Sequence, residues 1–284
     1  MRHDEASRTA QRPALLRAAH QVLDDDPKIH IDPVAVGLTP ESSIESIRAN
    51  ETLIRSADAN LLRSGFVLRA RYAEDCLAEA VRTGVSQYVI LGAGLDTFAY
   101  RQPAYAKAMR IFEVDHPSSQ IWKRDCLAAK GVALPSNLAF VAADFERDRL
   151  ADKLAERGFD ASAPAFFSCL GVAQYLTARA IEATLRFVAG LAPGSAITLS
   201  FYLPDELLAG EDLELTRQLV RIGADKGEPW LSRHRPQELR AIAGDLAFSS
   251  AFHLTPEAAS TRYFPGRKDG LRAPRAMQLF TAKA

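Results

Sequence analysis

The chain has 284 residues, 48% of them hydrophobic and 25% charged, with 35 basic and 35 acidic side chains in balance. That is a soluble globular composition, long enough for one large α/β domain with additions or for two domains. It offers no global field for nucleic acid or an anionic membrane, and no run of about 18 apolar residues that would cross a bilayer.

Cys76, Cys126 and Cys169 are odd in number and widely spaced. They suit a reducing cytoplasm and suggest neither a disulfide frame nor a zinc site. The six histidines show no HxxxH or HExxH spacing, so no metal is expected. The opening MRHDEASRTAQRP lacks the apolar core of a signal peptide, and a cytoplasmic location is expected.

In chain order, residues 1–26 read as a charged, helical arm, and 27–40, with three prolines, as irregular. From Glu41 to Arg82 apolar residues recur at helical spacing, with Gly65 expected to interrupt and Phe66 to Val81 forming a second long helix. Strand-like runs follow near 87–91, 110–115, 138–142, 164–170 and 195–202. Helical stretches lie between them near 96–108, 118–130, 146–157 and 177–191. This alternation predicts an α/β, doubly wound, Rossmann-like sheet. Residues 204–246 read as a helical insertion, 247–254 as a sixth strand and 276–282 as a final strand antiparallel to the rest. Seven strands with one reversed is the class I methyltransferase form of this sheet. Residues 1–83 are then an N-terminal arm and cap, and 84–284 the ligand-binding domain.

The segment YVILGAGLDTFAYR at 88–101 carries a buried strand straight into a glycine turn. Gly92, Ala93 and Gly94 form a tight turn of the kind that binds a cofactor at a strand end. A dinucleotide fingerprint wants a third Gly or Ala where Thr97 stands. This weakens a nicotinamide cofactor and favours a ligand without a pyrophosphate, such as S-adenosyl-L-methionine. The next strand, RIFEVD, ends in Asp115 about 20 residues beyond Gly94, placed to accept bonds from ribose hydroxyls or to cap the following helix. Glu113 shares its face, and two unpartnered buried carboxylates are costly, so at least one should meet a polar cleft.

The third strand ends in Asp144-Phe145, an acid and an aromatic suited to adenine; a helix cap is the other reading. After the fourth strand, Gln174 and Tyr175 offer polar groups, Tyr175 alternatively being a core aromatic. Thr177 is expected to cap the next helix. Arg69 and Arg71 precede the first strand and either could pair with a carboxylate or simply be solvated. The connection 261–272 carries Arg262, Arg267, Lys268 and Arg272, expected at the ligand end as an attractor of an anionic acceptor or as a solvated loop.

LGAGLDTFAYR at 91–101, FEVDHP at 112–117, Asp144-Phe145 and LGVAQYLT at 170–177 together resemble the leucine carboxyl methyltransferase family, in its bacterial branch of S-adenosylmethionine-dependent O-methyltransferases. The resemblance runs from about Ser64 to Ser200. It implies Arg69 on the methionine carboxylate (Arg71 if the alignment slips by two), Gly92 as a backbone contact, Asp115 on the ribose, and Asp144 with Phe145 on the adenine. Leu170 stands where the family often has Glu, which removes a contact to cofactor or substrate. The expected reaction is methyl transfer to a carboxylate or hydroxyl of a small molecule, with Tyr175, Tyr202, Arg262 and Arg267 as candidate acceptor contacts. No catalytic base is assigned; His116, Tyr175, Tyr202 and His234 are the titratable candidates. An NAD(P)-dependent oxidoreductase and a non-catalytic binding protein are the competing readings.

Overall fold

The computed structural model describes residues 10–145 and 147–284. The first nine residues of the expected arm, and Glu146, lie outside them. Four helices lead in: α1 (Gln11–Leu23), α2 (Ile44–Ala49), α3 (Glu51–Ile54) and α4 (Ala57–Arg82). Ser43 caps α2 by accepting from Ser46 N, and Ser56 caps α4 by accepting from Ala59 N, each satisfying a donor that the first turn leaves open.

Strands and helices then alternate: β1 (Gln87–Leu91), α5 (Phe98–Arg101), β2 (Arg110–Asp115), α6 (Pro117–Ala129), β3 (Leu138–Ala142), α7 (Leu150–Ala155), β4 (Ala165–Cys169), α8 (Ala178–Ala189) and β5 (Ala196–Tyr202). The insertion supplies α9 (Gly210–Asp225) and α10 (Pro236–Asp245), before β6 (Ser250–Leu254), α11 (Pro256–Tyr263) and β7 (Met277–Lys283). The sheet order is β3-β2-β1-β4-β5-β7-β6, with β7 antiparallel to both of its neighbours. The reversal of sequence order beside β1 places the carboxyl ends of β1 and β4 at the crevice where such sheets bind ligands. β1, β4 and β5 are buried along their whole length, as parallel strands covered on both faces must be.

Three expectations change. Gly65 does not break the helix, because α4 runs unbroken for 26 residues. A Cβ there would meet the Met277 methyl at 3.5 Å, so the glycine marks where β7 approaches the helix. The expected helix at 96–108 is only the single turn of α5, ended at Gln102 with a positive φ, and then a 3₁₀ turn. The helix expected over 146–157 forms only at Leu150–Ala155.

The lead-in helices are joined to one another by buried charge, and to the sheet by apolar packing. On α4, Arg63 pairs with Asp24 at 2.7 and 2.9 Å, and His20 Nδ1 lies 2.8 Å from the same carboxylate; none of the three side chains is exposed. The other His20 nitrogen accepts from Ile29 N, which fixes the chain leaving α1. Val67, Leu68 and Tyr72 of α4 pack in one cluster with Leu254 of β6 and Leu279 of β7.

Since the contact at Gly65 is an ordinary one and the helix is continuous, Gly65→Ala should raise stability by about 0.5–1 kcal/mol through the gain in helix propensity. A urea unfolding midpoint that drops instead would show that β7 needs the space.

Candidate active site

A cavity of about 580 Å³ opens at the carboxyl ends of β1, β2, β3 and β4, within the usual size of small-molecule sites. Gly92, Ala93, Gly94, Asp115, Asp144, Phe145, Arg69, Tyr175 and Tyr202 all line it. These residues come from six separate stretches of chain, which the fold alone brings together.

The first turn is held by the end of β2. Gly92 N and Ala93 N both donate to the Val114 carbonyl, at 2.8 and 3.1 Å, and Gly94 N donates to Asp115 Oδ2 at 2.5 Å. These N–H groups are therefore spent, and none is left to cradle a pyrophosphate. The Gly92 carbonyl, by contrast, accepts no hydrogen bond among the described residues. Gly92 has φ +64°, and a Cβ on it would lie 2.3 Å from Val172 Cγ2. Its glycine thus admits the β4 turn as its nearest neighbour, rather than leaving open space for a ligand.

Asp115 is half-buried, and its two oxygens accept from Gly94 N and His116 N. Burial raises its pKa, and the two backbone donors pull it back in part. It is not the cap of α6. His116 takes that place, accepting from Ser118 N, with Pro117 opening the helix. Glu113 is fully buried beside Lys123 at 2.7 Å and accepts from Tyr100 OH; burial pushes its pKa up to about 7. Of the two acids on this face only Asp115 reaches the cavity, which meets the expectation that at least one would.

Asp144 does not cap a helix either, since α7 begins six residues later. Its backbone N–H is held by Asp148 and its carboxylate lies 3.7 Å from Arg147 Nε. Thr177 does cap α8, accepting from Ala180 N. Tyr175 is half-buried on the cavity wall, so it faces the site rather than the core.

Arg69 lies on α4 with its guanidinium 4.7 Å above the Phe66 ring. No hydrogen bond or ion pair within the described chain engages it, and burial lowers its pKa to about 10. Such a cation calls for an anionic ligand. Gly171, a position that sequence reasoning passed over, makes room for it: a Cβ there would sit 2.3 Å from Arg69 Nη1, and φ is +77°. Arg71 is turned away and pairs with Asp75 at 2.8 Å.

Two candidate acceptor contacts are misplaced. Arg262 pairs with Asp75 at 2.9 Å, and Arg267 pairs with Asp269 and donates to Pro27 O and Asp25 O. With Lys268 they line a different groove, beside Arg71. The connection after β6 folds back along α4 instead of over the cavity, because Asp75 and Ser64 of that helix bind it. Among the base candidates, His234 is buried near Ser232 and lies outside the cavity lining. The Tyr202 hydroxyl makes no hydrogen bond among the described residues, and burial raises its pKa to about 12. Sequence reasoning also missed Glu228 and Trp230, which line the cavity from the chain after α9. The run Gly227-Glu228-Pro229-Trp230 was the available signal, since an acid beside Pro-Trp is unusual in a solvated insertion.

A seven-stranded sheet with a reversed β7 and a cavity at the ends of β1, β2 and β4 agrees with what the relatives show, that the protein is an S-adenosylmethionine-dependent methyltransferase. Residues 10–189 match the pattern of leucine carboxyl methyltransferases, and the chain belongs to that family. YktD of Bacillus subtilis, named as an S-adenosyl-L-methionine-dependent methyltransferase, is 31% identical over 96% of both chains. A similarly named protein of Mycolicibacterium vanbaalenii is 32% identical over 96% of this chain and 85% of its own. The fold is shared with a DUF574 protein from Streptomyces avermitilis (TM-score 0.58, 16% identity, 98% of both chains) and with a methyltransferase-titled structure from Thermobifida fusca (TM-score 0.56, 18% identity, 95% and 93%).

Gly171→Ala should push the Arg69 guanidinium aside and strain a left-handed backbone at roughly 1–2 kcal/mol. Calorimetry with S-adenosylhomocysteine should then show at least about a tenfold loss of affinity, some 1.4 kcal/mol. Unaltered affinity would mean that Arg69 does not touch the ligand.

Proposed function

We propose that this methyltransferase alkylates a carboxylate or hydroxyl oxygen of a small molecule, in the cytoplasm and without a nucleic-acid or membrane partner. The observation that carries the placement of the cofactor is the unpaired Arg69 guanidinium, set between the first turn and the β4 turn. S-adenosylmethionine, when bound, supplies a methyl group already activated on a sulfonium. The donors and acceptors left open around the cavity fit it. Arg69 would take the methionine carboxylate and the Gly92 carbonyl the ammonium, because that turn has no N–H left to give. Asp115 has spare lone pairs for the ribose hydroxyls. Asp144 and Phe145 would meet the adenine.

What remains for the protein is to align an acceptor and keep water away, which is catalysis by orientation. Arg12 and Pro13 of α1, and Leu219 and Ile222 of α9, wall the rest of the cavity. Walls drawn from a lead-in helix and an insertion support a small acceptor. The Tyr202 hydroxyl, close enough to feel Arg69 and Arg12, supports an oxygen nucleophile that accepts a hydrogen bond. A carboxylate would need no base; a hydroxyl would pass its proton to a group such as His116. The family's description names a carboxyl acceptor, which favours the first.

Asp115→Ala should weaken S-adenosylhomocysteine binding by about 1–3 kcal/mol, the cost of hydroxyls left unpaired. The ionised carboxylate is the form that accepts, so affinity should fall as pH drops. Because burial raises this pKa, the fall should begin at a higher pH than for an exposed aspartate. Asp115→Asn should flatten that profile in calorimetry, and an equally steep profile in the variant would remove Asp115 from the role. Binding of NADPH but not of S-adenosylhomocysteine would overturn the assignment of the cavity.

A further inference from the structure

The part of the cavity away from the first turn has its own chemistry. Tyr202 and Trp230 pack against each other there, with ring centroids 4.4 Å apart and the planes tilted by 47°. Beside them, the Glu228 side chain makes no ion pair and no hydrogen bond among the described residues, and its Oε2 is sealed from solvent. Gln174 adds a second buried acceptor without a donor: its Nε2 donates to Gly171 O, which fixes the amide, and Oε1 is left over. Both unsatisfied groups are acceptors, and a buried acceptor left without a donor is costly.

The position of Glu228 is built. Its N–H donates to Gly223 O at 2.8 Å, and a Cβ on Gly223 would stand 2.7 Å from the Glu228 carbonyl. Leu231 N donates to Gln174 O at 2.7 Å, which ties the same stretch of chain to the β4 turn. Carboxylate, carboxamide oxygen and two electron-rich rings on one wall are the complement of a protonated amine. Arg12 and Lys226, two cations of the cavity lining, are exposed, so neither is buried against Glu228.

We infer that this wall is an ammonium subsite: the methyl acceptor carries a protonated amine, held by Glu228 beside Trp230 and Tyr202, while a separate oxygen of the same molecule is methylated. The amine is a handle, since protonated nitrogen has no lone pair with which to attack. This rests on the methyl-transfer reading for the identity of the other half of the cavity.

Three phenols of like size separate the charge from the shape: tyramine, 4-ethylphenol and 4-hydroxyphenylacetate. Calorimetric titration into the protein saturated with S-adenosylhomocysteine should place tyramine at least about tenfold tighter than either of the others. Glu228→Gln should erase that preference while leaving S-adenosylhomocysteine affinity within about twofold. Equal binding of all three, tighter binding of the acid, no binding of tyramine, or a preference that survives in Glu228→Gln would each overturn the subsite. Failure of S-adenosylhomocysteine to bind, with the tyramine preference intact in its absence, would overturn the methyl-transfer reading and keep the subsite.

Discussion

The site depends on one clamp, in which the end of β2 takes up every N–H of the turn after β1. The Val114 carbonyl holds Gly92 and Ala93, and the Asp115 carboxylate holds Gly94. A turn so used cannot serve a pyrophosphate, which needs those same donors. It turns its remaining polar group, the Gly92 carbonyl, to whatever lies above it. On the proposed reading the Asp115 carboxylate does two jobs: it shapes the turn and takes the ribose. Val172 closes the turn from the β4 side, so the geometry is fixed by both neighbouring strands rather than by glycine freedom alone.

The lead-in helices are bound to this frame by charge rather than only by apolar packing. Arg17 on α1 pairs with Asp32 at 3.0 Å and donates to Leu95 O, within the β1 turn region itself. Asp32 also accepts from Thr97, just after that turn. Burial alone would raise the pKa of Asp32, but Arg17, Arg101 and His30 bring it down to about 2. A depressed carboxyl stabilises the fold above its unfolded pKa and ceases to do so as pH falls toward 2. Across the physiological range this contribution is intact, so α1, which walls the cavity, is held to the turn it covers. The arrangement accounts for Arg12 and Pro13 lining a site that is otherwise made from strand ends.

Much of this was legible in the sequence because the signals were local. Apolar runs such as YVIL and AFFS marked β1 and β4 within a residue or two, and the glycine turn and Asp115 followed from spacing. The errors share a physical cause. Gly65 looks like a break because propensity is a local quantity, whereas its real constraint is a contact with Met277, more than 200 residues away. Arg262 and Arg267 looked like site residues because the topology puts the start of their connection at the ligand end. Their actual place was decided by Asp75 and Asp269, partners that no periodicity reveals. Asp115 and Asp144 were ambiguous between cap and ligand contact until His116 was seen to cap α6.

The division between legible and hidden residues follows a division in the site itself. The cofactor half is assembled from strand ends, where one sheet geometry serves many acceptors and the sequence must keep a fixed spacing. The other half comes from α9 and the chain after it, whose only fixed requirement is to reach across the cavity. Gly223 and the Leu231–Gln174 bond set that reach, and both leave the side chains at 228 and 230 free to vary. Leu170 supplies no charge to the cavity, yet the cavity holds a carboxylate without a partner among the described residues, brought in by the chain after α9 as Glu228. A carboxylate on the insertion lies outside the hydrogen bonds that shape the first turn. On the proposed reading it discriminates among acceptors without disturbing the clamp beneath the methyl donor.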